Sequence, residues 1–123
     1  MNPKFVVYCG PMFSSKSTRL IADVERYRLQ GRNIVCFKPK MDERYQATKI
    51  TTHNGGTLDA KIVTTGDEII EIIDSQFVNA DVIAVDEAFM IEDCSTALIK
   101  LFRRGYNIVV ASIDLSASCM PFA

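Results

Sequence analysis

The residues of this chain best suited to chemistry run from Gly10 to Ser17, GPMFSSKS, and are entered from the apolar run Lys4-Phe-Val-Val-Tyr-Cys9. They match the pattern G-x-x-x-x-G-K-[ST] at every fixed position but one, Ser15. In that pattern the backbone N–H groups of a tight loop cradle phosphates, and a helix begins where the loop ends. Lys16 and Ser17 are in register. The lysine ammonium would lie near the β- and γ-phosphates of a nucleotide, and the Ser17 hydroxyl would ligate a magnesium ion bridging those oxygens. Ser15 stands where the second glycine belongs, and its Cβ restricts the backbone where phosphate must approach. A plainer reading stays open, in which Ser14 to Thr18 only cap the first helix.

A second group follows the apolar run Asp81-Val-Ile-Ala-Val85, which ends on Asp86-Glu87. Open α/β sheets place their ligand sites at the carboxyl ends of such strands, and the pair resembles a Walker B motif. The aspartate of such a pair holds magnesium directly or through water, and the adjacent carboxylate accepts a proton from an attacking hydroxyl. Acids also end strands at the surface for no functional reason. The Gly10 loop upstream is what gives the pair its meaning.

The elements that must position these groups alternate. Lys4 to Cys9 reads as a strand, and Thr18 to Leu29 as a helix with apolar Leu20, Ile21, Val24, Tyr27 and Leu29, closed by Gly31. Asn33 to Phe37 reads as a buried strand stopped by Pro39. Lys49 to Thr52 and Leu58 to Val63 flank His53-Asn-Gly-Gly56 as a hairpin, after an irregular segment from Met41 to Thr48. Asp67 to Phe77 predicts an amphipathic helix after Gly66, Asp81 to Val85 a strand, Glu92 to Arg104 a helix closed by Gly105, and Tyr106 to Ala111 a last strand. The expected fold class is α/β, a three-layer P-loop NTPase (RecA-like) domain with a mainly parallel central sheet and a small β-hairpin insertion. Residues 1–123 read as one domain.

Composition narrows the partners. With 123 residues, 48% of them hydrophobic, and a formal charge of −1, the chain has one core and no basic surplus for direct nucleic-acid binding. No apolar stretch is long enough to span a membrane and no secretory leader precedes Lys4, so a cytoplasmic location is expected. The four cysteines, Cys9, Cys36, Cys94 and Cys119, lack C-x-x-C spacing and read as reduced structural thiols.

GPMFSSKST is similar to the GPMFSGKST of thymidine kinases of the cellular and bacterial type. Lys38-Pro-Lys-Met-Asp-Glu-Arg-Tyr45 resembles that family's K-P-x-x-D-x-R-Y, and Ile50-Thr-Thr-His-Asn-Gly55 its I-x-S-H-x-G. Asp86-Glu87-Ala88 stands at its D-E-x-Q-F-F, and Asp114 to Phe122 at its D-x-D-F-R-G-x-P-F. The resemblance implies ATP-dependent phosphorylation of the thymidine 5′-hydroxyl, with ATP and thymidine as partners, magnesium as cofactor and a homo-oligomeric assembly. It implies Glu87 as general base and Ser17 and Asp86 as magnesium residues. ATP would be held by Gly10, Pro11, Met12, Phe13, Ser14, Ser15, Lys16 and Ser17 together with Asp86, Glu87, Ala88 and Phe89. Asp42 and Arg44 match loop residues near the phosphates, although Arg44 also reads as a solvated cation. Met12, Met90 and Phe122 line either the base pocket or the core. His53, the only histidine, matches a family histidine that is not the base and reads as a turn residue.

The departures are Ser15, Phe89 where a glutamine is usual, and Ala117 where a stacking phenylalanine is usual. The family's lasso segment and its four-cysteine zinc site find no counterpart among these residues, so no zinc is expected. Two further readings stay open: a RecA-like ATPase, and a nucleotide-binding remnant without kinase activity.

Overall fold

Each apolar run sends alternate side chains to opposite faces, and here both faces are buried. The computed structural model describes residues 3–10, 16–40, 49–51 and 57–113. Among them are β1 (Phe5–Gly10), α1 (Lys16–Leu29), β2 (Ile34–Pro39), β3 (Lys49–Thr51), β4 (Thr57–Asp59), β5 (Lys61–Val63), α2 (Gly66–Gln76), β6 (Val82–Val85), α3 (Cys94–Arg103) and β7 (Asn107–Ile113), with a 3-10 turn at Ala88–Met90. Five strands form one sheet in the order β1-β7-β6-β2-β5, and every pairing in it is parallel. Val35, Phe37, Ile83, Val85, Ile108 and Val110 pack with Ile69 and Ile73 of α2 and Leu98 and Leu101 of α3. Their neighbours Cys36, Val82, Ala84, Val109 and Ala111 pack with Leu20, Val24 and Tyr27 of α1. The result is the expected α/β architecture of three layers, helix on both faces of a parallel sheet.

Several boundaries differ from the sequence reading. The run Leu58 to Val63 is not one strand: β4 pairs antiparallel with β3, Ile50 opposite Leu58, whereas β5 joins the main sheet beside β2. A short apolar run does not say which neighbour it pairs with. β2 continues through Pro39, which pairs with Val63, because the missing proline N–H falls on the last rung of the strand. α1 begins at Lys16 rather than Thr18 and ends in a Schellman turn, with Gly31 N donating to Arg28 O and Arg32 N to Tyr27 O. Gly31 has φ +79° there, and Leu29, off the stripe of Leu20, Val24 and Tyr27, is 88% exposed. Cys36 and Cys94 are buried and form no disulfide, and burial pushes the Cys94 thiol up to about 12. Cys9 departs from the expectation, being held in a disulfide.

α2 starts at a side-chain cap. The Thr65 hydroxyl accepts from Glu68 N at 3.3 Å, and the Glu68 carboxylate reaches back to Thr64, accepting from its N–H at 3.2 Å and from its hydroxyl. The Thr64 hydroxyl holds the Glu68 carboxyl below its ordinary range. That bonding is therefore intact at neutral pH and weakens as pH falls through the lowered value.

The same stretch is tied to the chain ahead of α3. Gly66 N donates to Glu92 O at 2.7 Å and Glu92 N to Thr64 O at 3.2 Å, a short parallel bridge between the two segments. The approach is so close that a Cβ on Gly66 would meet Asp93 O at 2.5 Å and Ala97 Cβ at 2.7 Å. Backbone cannot yield as a flexible side chain does. Gly66→Ala is expected to destabilise the fold by about 1–3 kcal/mol, read as a lower midpoint in urea with an unchanged slope.

Candidate active site

Parallel strands all leave the sheet on one edge, so the residues that follow them converge. Gly10 ends β1 level with Ile113 of β7, and Val85 ends β6 level with Val110 and Phe37. Asp86 extends the ladder by one residue, its N–H donating to Phe37 O at 2.9 Å, and it is 8% exposed. α1 lies against the face of Cys36, Ala84 and Ala111 and runs from Lys16 back toward the start of β2. Its backbone at Lys16 and Ser17 therefore begins at the edge where Gly10 and Asp86 lie.

A buried polar contact fixes that helix on the sheet. The Tyr8 hydroxyl, two residues before Gly10, donates to the carboxylate of Asp23, which is 5% exposed and also paired with Arg26 at 2.9 Å. Donation to Asp23 pushes the Tyr8 phenol above its ordinary range. The contact sets the distance between the end of β1 and the body of α1, and so where the first turn of the helix meets the edge.

Glu87 departs from ordinary backbone. Its φ of 54° and ψ of 41° are left-handed, a conformation that costs a residue with a Cβ about 1–3 kcal/mol and persists where the surroundings over-determine it. It caps the 3-10 turn, with Met90 N donating to Glu87 O at 3.0 Å and Ile91 N to Ala88 O at 3.1 Å. Glu87, Ala88 and Phe89 are half-buried, and Met90 is 43% exposed. Beyond the turn, Ile91 is buried and Glu92 is held by the backbone bridge to Thr64 and Gly66.

The structure thus brings Gly10, Lys16, Ser17, Asp86, Glu87, Ala88, Phe89 and Met90 to one edge of the sheet. Pro11, Met12, Phe13, Ser14 and Ser15 lie outside the described residues, as do Asp42, Arg44, His53, Ala117, Cys119 and Phe122. Two features went unread in the sequence. The cap on α2 had a signal in Thr65-x-x-Glu68, a capping pattern just before an apolar helix, whereas the bridge from Thr64 to Glu92 had none. Lys38, 8% exposed beside Asp86, had one in its place at the end of an apolar strand. Among the described residues no three His, Cys, Asp or Glu side chains cluster as a metal cage, and no helix is long and apolar enough to cross a membrane.

Known proteins share this arrangement of sequence. A family model described as Thymidine kinase matches residues 4–123. A thymidine kinase of Pyrobaculum aerophilum is 41% identical over 118 residues, covering 95% of this chain and 63% of the relative. A thymidine kinase of Roseiflexus sp. (strain RS-1) is 32% identical over 126 aligned residues, covering 99% of this chain and 64% of the relative. The chain therefore spans just under two thirds of the length of these curated relatives. Because the family match covers residues 4–123, nearly the whole chain, and the relatives align over almost all of it, the chain belongs to the thymidine kinase family.

Proposed function

We propose that this chain carries the phosphoryl-transfer site of an enzyme that phosphorylates the 5′-hydroxyl of thymidine with ATP, giving thymidine monophosphate for DNA synthesis. The observation that carries the reading is Glu87. It is an acid held left-handed at the exit of β6, next to buried Asp86 and on the edge where α1 begins. Both relatives bear the name thymidine kinase.

In this reading residues 1–123 act as one kinase domain. Residues Gly10 to Ser17 receive the ATP phosphates on backbone N–H groups, with the Lys16 ammonium countering charge on the transferred group. Glu87 accepts the proton of the nucleoside 5′-hydroxyl as that oxygen attacks. Asp42 and Arg44 stand at the phosphates, and Ala88 and Phe89 complete the nucleotide contacts. Met12, Met90 and Phe122 line the base pocket. The donor set suits magnesium, which takes hard oxygens and is commonly held by one or two carboxylates together with substrate phosphates. Asp86 offers one such carboxylate at the strand end, and Ser17 a hydroxyl on the first turn of α1. When bound, the ion neutralises charge on the phosphates. Cytoplasmic residence and assembly into homo-oligomers belong to the same reading, as what membership of the family implies.

The direct test is a chromatographic assay of the protein with Mg-ATP and each deoxynucleoside in turn. Thymidine monophosphate is expected as the product, and nucleoside-independent ATP hydrolysis alone would overturn the reading. Lys16→Ala is expected to weaken Mg-ATP binding at least about tenfold by titration calorimetry, because one charge-assisted phosphate contact is lost. Glu87→Gln should lower kcat by about 10²–10⁴ while leaving Mg-ATP affinity within about twofold. Full turnover in that variant would refute the base assignment. Glu87→Gly separates strain from chemistry: it should lose turnover as well, yet raise Tm by several degrees, since relieving roughly 1 kcal/mol of left-handed strain shifts a domain of this size by about that much.

A further inference from the structure

We propose that Lys38 is a positioning residue for Asp86, a buried cation that holds the strand-end carboxylate in place. The pairing itself needs only the fold, whereas its consequence for turnover rests on the kinase reading given above. Lys38 is 8% exposed, and lysine is almost never buried to that degree without an anionic partner. It sits on β2 opposite Ile62 of β5. On the other side of β2, Phe37 is level with Val85 and Asp86 N donates to Phe37 O at 2.9 Å, which sets Lys38 and Asp86 beside each other on neighbouring strands. Such strands lie about 4.8 Å apart, well within the reach of a lysine side chain.

Alternation also gives them the same face. Lys38 shares a face with Cys36 and Asp86 with Ala84, and both of these pack toward α1. The other buried polar groups nearby are otherwise placed. Asp23 is taken by Tyr8 and Arg26, and Ser112 alternates with Val110 onto the face of α2 and α3. Among the described residues, Asp86 is thus the buried carboxylate that shares both row and face with Lys38. Pro39 contributes from the backbone: a residue before proline is confined to extended conformations, which keeps Lys38 in its row. With the cation in place, Asp86 is presented in one orientation at the edge where Lys16 and Ser17 begin α1. Without it the buried carboxylate loses the cation that fixes its orientation.

A double-mutant cycle on the protein without nucleotide tests the pair. Lys38→Met is expected to lower Tm by about 10 °C, since breaking a buried pair strands one charge. Combining it with Asp86→Asn should cost several degrees less than the sum of the single changes. Additive losses would overturn the pairing, and if Lys38→Met does not fold, Lys38→Gln enters the same cycle. In the kinase assay, Lys38→Met should lower kcat about 100-fold with the thymidine KM unchanged, and Lys38→Arg should retain most of kcat. An unchanged kcat in a folded Lys38→Met protein would overturn the positioning role. A coupled cycle in a protein that makes no thymidine monophosphate would uphold the pair and refute only the kinase reading.

Discussion

Everything at the site depends on β6 being buried on both faces. All four of its residues, Val82 to Val85, have no accessible surface, with parallel neighbours on each side and helices above and below. Such a strand has no position for a polar side chain until it leaves the sheet. The first polar residues it meets are Asp86 and Glu87, and because every paired strand of the sheet runs the same way, they emerge where Gly10 ends β1. Burial of the centre thus gathers the chemistry at one edge.

The span from Asp86 to Glu92 is fixed at both ends. At one end Asp86 is a rung of the ladder to β2, and at the other Glu92 is bridged by backbone hydrogen bonds to Thr64 and Gly66. Between them the chain takes one left-handed residue and one 3-10 turn. Gly66 matters to a site it does not belong to, because only a residue without Cβ lets the segment before α3 come this close to the start of α2. The cap on α2, Thr65 to Glu68, anchors that bridge in turn.

How much of this the sequence disclosed follows from how local each cause is. Asp81 to Val85 was legible as a buried strand since both faces demand apolar residues, and Gly31 and Gly105 marked helix ends because a left-handed turn selects glycine. Asp86 and Glu87 were legible as a strand-end pair. The division of Leu58 to Val63 between two sheets was not, since pairing partners are a property of the tertiary structure. Leu29 looked like a core position by type and is not one by angle. The expected start of α3 at Glu92 gave way to Cys94, as Ile91 to Asp93 serve the bridge instead. Lys38 hid because lysine signals solvent by composition, and its burial comes from tertiary neighbours that no local pattern shows. Nothing in the residue types warned of a left-handed glutamate.

That glutamate has a physical account. In β6 the alternation sends Val85 toward α2 and α3 and Asp86 toward α1. A further extended residue would therefore drive the Glu87 carboxylate into the apolar cluster of Val63, Ile91 and Cys94. Burying an ion there without a partner costs several kcal/mol. A left-handed residue costs about 1–3 kcal/mol. The smaller cost is the one the chain meets: the backbone turns at Glu87, the alternation breaks, and the carboxylate is half-buried at the edge of the sheet instead of enclosed beneath it. The same turn separates two neighbouring acids in space: Asp86 stays with the buried row that continues β6, and Glu87 leaves that row for the edge of the sheet.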